Sequence, residues 1–332
     1  MPTSNESLLS LIVQAHDEQW EELDLSGMGL TDLPKEIGRL TGLKTLVLGK
    51  WDEENNGCLG NSFTEIPKVV FELTQLEELY LSRNEIRSIP NSIAKLTNLT
   101  LLHLGLNQIT SISDSIAKLT HLTLLGLARN QITSIPDSIA KLTHLTDLDL
   151  GRNQITSIPD SIAQLTHLSR LELSFNQITT IPDSIAKLTH LTKLSLNRNR
   201  LTSIPDSIAQ LTHLTTLGLS INQITSIPDS IAQLTHLTTL GLYNNQITSI
   251  PDSIAQLIDL TYLYLDYNGI TNIPDSIVQL TNLEGLGLEN NPIQNVPPEI
   301  ISMGCARDDN GYCGEAKIIL TYLKTSHSTP AQ

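Results

Sequence analysis

Six histidines (His121, His144, His167, His190, His213 and His236) recur at steps of 23 residues, and eight aspartates from Asp114 to Asp275 keep the same step. Serines accompany them, so the ingredients of a Ser-His-Asp hydrolase are abundant. Their spacing argues against one. A constant step puts each residue type in its own row, with neighbours about 5 Å apart if every copy adds one strand. Acid–base or nucleophilic catalysis needs different groups converging on one reacting atom, and rows do not converge. The histidine row has the residue type for Zn²⁺ or for a proton-sensitive edge. The aspartate row lacks the roughly six to eight converging oxygens that calcium takes. The reading is therefore no enzyme, no cofactor and no metal.

The rows follow from how the chain is built. "LTHLTTLGLSINQITSIPDSIAQ" from Leu211 is followed by a near copy, and the register opens at Trp20, Leu43, Leu76 and every 23 residues to Leu283, the one longer step being 33. Twelve repeats over residues 20–300 form one continuous array rather than two globules. In "LTTLGLSINQI" from Leu214, apolar residues at the first, fourth and sixth places alternate as a strand requires. Leu217 and Leu219 point inward, with Thr216, Gly218 and Ser220 on the open face. The return stretch "TSIPDSIAQLTH" is too short for a long helix and is interrupted by Pro228. It predicts a short helical or 3₁₀ turn on the convex side, capped by Asp229 or Ser230. The asparagine column from Asn84 to Asn291 is read as satisfying backbone groups at the bend, not as a binding ladder.

Both ends of such an array need covers. "NESLLSLIVQAHDE" predicts an amphipathic helix begun by Ser4 or Asn5, making residues 1–19 the N-terminal cap. Residues 301–332 form the other cap, through "GEAKIILTYLK" with Ile318, Ile319, Tyr322 and Leu323 against the array, and a loose tail.

The pattern L-x-x-L-x-L-x-x-N-x-L followed by "IPxxIxxL" resembles the leucine-rich-repeat family, in the 23-residue form met in bacterial proteins and Ras-binding scaffolds. The resemblance implies an α/β solenoid: a leucine-rich-repeat horseshoe with a concave parallel β-sheet of twelve strands, about 50 Å along, and short helical or 3₁₀ convex segments. The opening "EELDLSGMGLTDLPKEIGRLTGL", then "LVLGKWDEENNGCLGN" and the closing "EAKIILTYL" resemble the repeat region of cyanobacterial Roco proteins. That second resemblance implies a Ras-like GTPase nearby. The sequence carries no G-x-x-x-x-G-K-[ST] loop, so nucleotide binding is not carried over.

Thirty-five acidic against 20 basic side chains give −15, which argues against nucleic acid or an anionic membrane as partner. No apolar run reaches membrane-spanning length, and the short stretch Leu8–Val13 lacks a basic flank, so no Sec signal is expected. Cys58, Cys305 and Cys313 are an odd number, too few for a disulfide framework; a pair between the last two is open. A cytoplasmic monomer is expected, with secretion by a signal-independent route as the alternative.

Selectivity must lie where the copies differ, at the second, third, fifth, seventh and eighth places of each repeat. Five of the seven tyrosines fall there, and Tyr243, Tyr262, Tyr264 and Tyr267 share two adjacent repeats. Exposed aromatics of this kind anchor interfaces. Phe175 and Ile221 join them, and Arg129, Arg152, Arg170, Lys193 and Arg198 with Asp147, Asp149 and Glu172 form a mixed-charge strip suited to a complementary partner. The insertion Gly49–Gly60 offers Trp51 and three acids either as a grip or, for the tryptophan, as a cover over the first repeats. The function expected is non-catalytic recognition of a protein or peptide on the concave face. Alternatives are a sensing partner of a Ras-like GTPase in trans and a secreted bacterial effector acting on host proteins.

Overall fold

The computed structural model describes residues 5–52, 57–304 and 316–326. The chain divides into two compact halves, Met1–Ile155 and Thr156–Gln332. Each holds six three-residue strands that pair in parallel in chain order, from Glu22–Asp24 to Asp147–Asp149 in the first and from Arg170–Glu172 to Gly285–Gly287 in the second. Register is invariant: Leu194, Leu217 and Leu240 face one another across adjacent strands, as do Leu46, Leu79 and Leu102. These leucines are fully buried, as are those at the first and sixth places. Each contributes roughly 1.5–3 kcal/mol by leaving water.

The return segments are five-residue 3₁₀ helices such as Asp229–Gln233. The expected side-chain cap is absent there. Pro228 itself occupies the cap position, in extended geometry, and has no side-chain oxygen to accept a bond. Where serine replaces that proline, Ser113 accepts from the Ser115 N–H at 3.2 Å. Proline thus sets the entry angle that an acceptor would set elsewhere.

Helix α1 (Asn5–Asp17) buries Leu8, Ile12 and Ala15; Ser4 lies outside the described residues. At the other end a short helix α2 (Pro298–Gly304), not anticipated from sequence, precedes α3 (Ala316–Ser326). The covering face of α3 is Ala316, Ile319, Leu320 and Leu323. Ile318 and Tyr322 are only half buried, which corrects the expected set. The helix hangs on the array through the Ala316 N–H, which donates to the Glu284 carbonyl at 3.0 Å. The stretch with Cys305 and Cys313 and most of the tail lie outside the described residues. Among the described residues no helix is long and apolar enough to cross a membrane.

The asparagine column is framework. Asn130 accepts from the Ile109 N–H at 2.9 Å and donates to the carbonyls of Leu104 and Leu127 at 2.9 and 3.0 Å, joining its own repeat to the one before. Asn199 does the same with Ile178, Leu173 and Leu196. The second repeat has such an asparagine too, Asn61, bonded to Leu25, Leu30 and Leu48; the insertion had displaced it from the count. The second place is also less free than its variability suggested. The hydroxyls of Thr123, Thr146, Thr215 and Thr238 each donate to the carbonyl of the second-place residue one repeat earlier.

The insertion is an antiparallel hairpin, Lys50–Asp52 with Gly57–Leu59. Glycines bound it because its stems lie against backbone: a Cβ on Gly49 would sit 1.9 Å from the Ser82 carbonyl oxygen, and one on Gly60 1.6 Å from that of Arg83. Arg83 Nη1 donates to the Cys58 carbonyl at 2.6 Å. The Trp51 side chain and the three acids at 52–54 fall outside what is described.

One backbone feature repeats throughout. The eighth place is left-handed from Arg83 to Asn290, with φ between 51° and 59°. Glycine and asparagine take this conformation readily; arginine, phenylalanine, tyrosine and above all β-branched isoleucine do not, at about 1–2 kcal/mol each. Ile221→Asn is therefore expected to raise stability by about 1 kcal/mol, measured as an upward shift of the urea midpoint at unchanged slope.

Candidate recognition surface

In the C-terminal half, alternation along the strand Tyr262–Tyr264 puts both tyrosines on the open face and Leu263 in the core. Their neighbours across the sheet are small. Tyr264 lies between Gly241 and Gly287, and Tyr262 between Thr239 and Gly285. The two rings stack at 6.2 Å with planes 3° apart, and Tyr262 donates its hydroxyl to Glu284 at 3.1 Å. Tyr243 and Tyr267 meet edge to face at 5.3 Å, and Tyr267 is 45% exposed despite its size. The structure thus joins the four tyrosines in two interacting pairs. Asp266, which sequence reasoning passed over, is buried between them in sequence and accepts the Glu289 N–H at 2.9 Å.

The charged strip divides between the halves. In the C-terminal half the Arg198 guanidinium sits 4.8 Å from the centre of the Phe175 ring, a cation–π contact. Arg170 lies 4.0 Å from Glu172, whose other oxygen accepts the Ser174 N–H at 2.8 Å. Lys193 is exposed and Ile221 half exposed. In the N-terminal half Arg129 and Arg152 are exposed, while Asp147 and Asp149 are half buried. Asp149 uses one oxygen on the Gly151 N–H at 3.0 Å.

The N-terminal half also holds a hollow that sequence reasoning missed, about 580 Å³ in volume. Register explains it. The third-place row reads Glu22, Thr45, Glu78, and the fifth-place row reads Asp24, Val47, Tyr80, His103, Gly126. The small Thr45 and Val47 form a floor between larger neighbours. On one rim Lys50 is paired with Asp24; on the other Tyr80 and His103 stack at 5.5 Å. Glycine at 126 leaves room for His103, whose Nδ1 would lie 2.4 Å from any Cβ there. Tyr80 donates to Glu78 at 3.0 Å. Burial first, then that carboxylate, pushes the Tyr80 phenol up to about 12. Burial holds the His103 imidazole below its ordinary value, against the opposing pull of Asp147 and Glu78.

The histidine row does structural work. Nδ1 of His144, His190 and His213 lies 2.9 Å from a threonine carbonyl of the repeat before, and this fixes the proton on that nitrogen. His167, His190 and His213 stack at 6.2 and 6.4 Å. Among the described residues no three His, Cys, Asp or Glu side chains group as a metal site.

Strand, asparagine turn and 3₁₀ return, copied in fixed register, define a leucine-rich-repeat solenoid. The leucine-rich repeat region family matches residues 107–217 and 202–302, and a second leucine-rich repeat family matches 60–109 and 74–132. The chain belongs to the leucine-rich-repeat proteins. No curated protein matches it. Among solved structures it is similar to the plant peptide hormone receptor RGFR1 in complex with RGF2, at 31% identity and TM-score 0.72, over 85% of this chain and 46% of the receptor. It is similar also to the Arabidopsis receptor kinase HAESA in complex with the peptide hormone IDA and the co-receptor SERK1, at 29% and 0.71, over 83% and 47%. An internalin, InlF, from Listeria monocytogenes matches at 28% and 0.69, over 89% of this chain and 91% of its own. The chain spans about half the length of the plant receptors.

Proposed function

We propose that this chain is a recognition scaffold that binds a protein or peptide on the open face of its sheet. The tyrosine cluster of the C-terminal half is its anchor. The observation that carries the reading is the placement of Tyr262 and Tyr264 between glycine and threonine neighbours, which leaves large amphipathic rings standing above a floor of small residues. Framework needs do not call for them there. The left-handed eighth place supports the same reading, since it carries Arg198, Phe175, Ile221 and Tyr267 where asparagine would be less strained. Two similar plant receptors are described in complex with peptide hormones. A preformed surface of this kind binds with little ordering cost, and Arg198, Arg170 and Glu172 supply charge pattern for register.

The test is affinity capture from native lysate by wild type beside a variant with alanine at Tyr243, Tyr262, Tyr264 and Tyr267. The captured partner is expected to be lost with the variant, and an unchanged capture overturns the site. Enrichment of small GTPases would specify the partner class implied by the Roco-like ends. Enrichment only from host lysate would favour an effector role over the cytoplasmic one.

A further inference from the structure

The hollow of the N-terminal half is separate from the tyrosine cluster and carries a chemistry of its own. Its floor, Thr45 and Val47, is flanked on one row by Glu22 and Glu78, two strand spacings or roughly 10 Å apart between Cα atoms. Glu22 is exposed and has no ion-pair or hydrogen-bond partner among the described residues. Lys50, the cation on the rim, is already neutralised by Asp24. The net charge facing the hollow is thus that of two carboxylates. The Tyr80 ring, stacked on His103, adds a π face on the same side.

We propose that this hollow seats an arginine side chain from an extended segment of a partner protein, its guanidinium shared by Glu22 and Glu78 and packed against the Tyr80 ring. Arginine fits better than lysine because a planar guanidinium can stack on an aromatic face while donating from its edge to two carboxylates; an ammonium offers a single point charge. The volume, about 580 Å³, admits the side chain with some flanking backbone. His103 takes part through its charge state. Its imidazole, held neutral at pH 7 by burial, does not repel a cation. As pH falls below 6.5 and through its lowered value it gains a proton and does. Asp147 and Glu78 are the carboxylates that act on its ring, and Glu22, Lys50 and Tyr80 line the same hollow.

The test uses the full chain and end-capped pentapeptides Gly-Gly-X-Gly-Gly, with X arginine, lysine or citrulline, titrated while the backbone amide signals of Thr45 and Val47 on the floor of the hollow are followed by NMR. The arginine peptide is expected to give saturable shifts, and citrulline, which is isosteric but uncharged, to bind at least about tenfold more weakly. The double variant E22Q/E78Q and Tyr80→Ala are each expected to weaken arginine binding by about tenfold. Tyr264→Ala in the other half leaves it unchanged, so this site and the tyrosine site fail independently. Binding should weaken as pH is lowered below 6.5, and in His103→Gln that decline is reduced. Citrulline or lysine binding as well as arginine, indifference to E22Q/E78Q, or the absence of saturable shifts overturns the assignment.

Discussion

Asn130→Ala lowers the stability of the scaffold by about 3 kcal/mol, although the substitution removes no apolar contact and leaves the strand intact. The reason is what the amide was holding. Without it the Ile109 N–H loses its partner inside the bend, where Asn130 is 8% exposed, and the carbonyls of Leu104 and Leu127 each lose one of two donors, keeping Asn107 and Asn153. The unpaired buried N–H costs about 1–3 kcal/mol and the two lost carbonyl bonds about 0.5–1.5 kcal/mol each, which together reach the value expected. Because the bonds cross from one repeat to the next, the loss is an interface loss in an array whose stability is largely nearest-neighbour. Urea unfolding followed by circular dichroism measures it. An exposed control, Gln131→Ala, is expected to change stability by less than about 0.5 kcal/mol. A ladder variant as stable as wild type would make the asparagines dispensable and reopen a binding role for them.

Gly60→Ala produces the second large effect, at the hairpin. A methyl there would sit 1.6 Å from the Arg83 carbonyl oxygen, a backbone atom that cannot swing aside as the end of a side chain can. The hairpin stem must lift, and the bond from Arg83 to the Cys58 carbonyl goes with it. Overpacking of this kind costs about 1–3 kcal/mol. A sharper readout is chemical: Cys58 is a free, half-buried thiol, so its alkylation rate, followed by peptide mapping, is expected to rise several-fold. Unchanged protection of Cys58 would mean that the stem does not need this close approach.

Much of the scaffold could be read from spacing. Twelve strand positions, the inward leucines, the 3₁₀ returns and the asparagine turns follow from period and residue type, because copying averages away local accident. The misses have physical reasons. A proline at the cap position gave no acceptor to recognise, so Asp229 and Ser230 were credited with a role they do not have. Asn61 was hidden because ten inserted residues separate it from its own strand. The left-handed eighth place had a signal that went unread: Gly27, Asn244 and Asn290, residue types suited to positive φ, occupy it. The arginine-sized hollow was invisible to a search for unusual residues, since it arises from ordinary ones. Thr45 and Val47 matter only because Glu22, Glu78 and Tyr80 stand beside them, and that is visible only down a column across repeats. The tyrosine cluster was legible as composition. Its glycine surroundings, which make the rings stand clear, belong to neighbouring strands.

The most direct measurement on the central claim, that departures from the copied pattern on the open face carry recognition, is hydrogen–deuterium exchange with and without the captured partner. Protection is expected at Tyr262–Tyr267 and at Tyr243, on the open face of the C-terminal half. Protection confined to the copied 3₁₀ segments, such as Asp229–Gln233 and Asp252–Gln256, with the tyrosine strands unchanged, would contradict it.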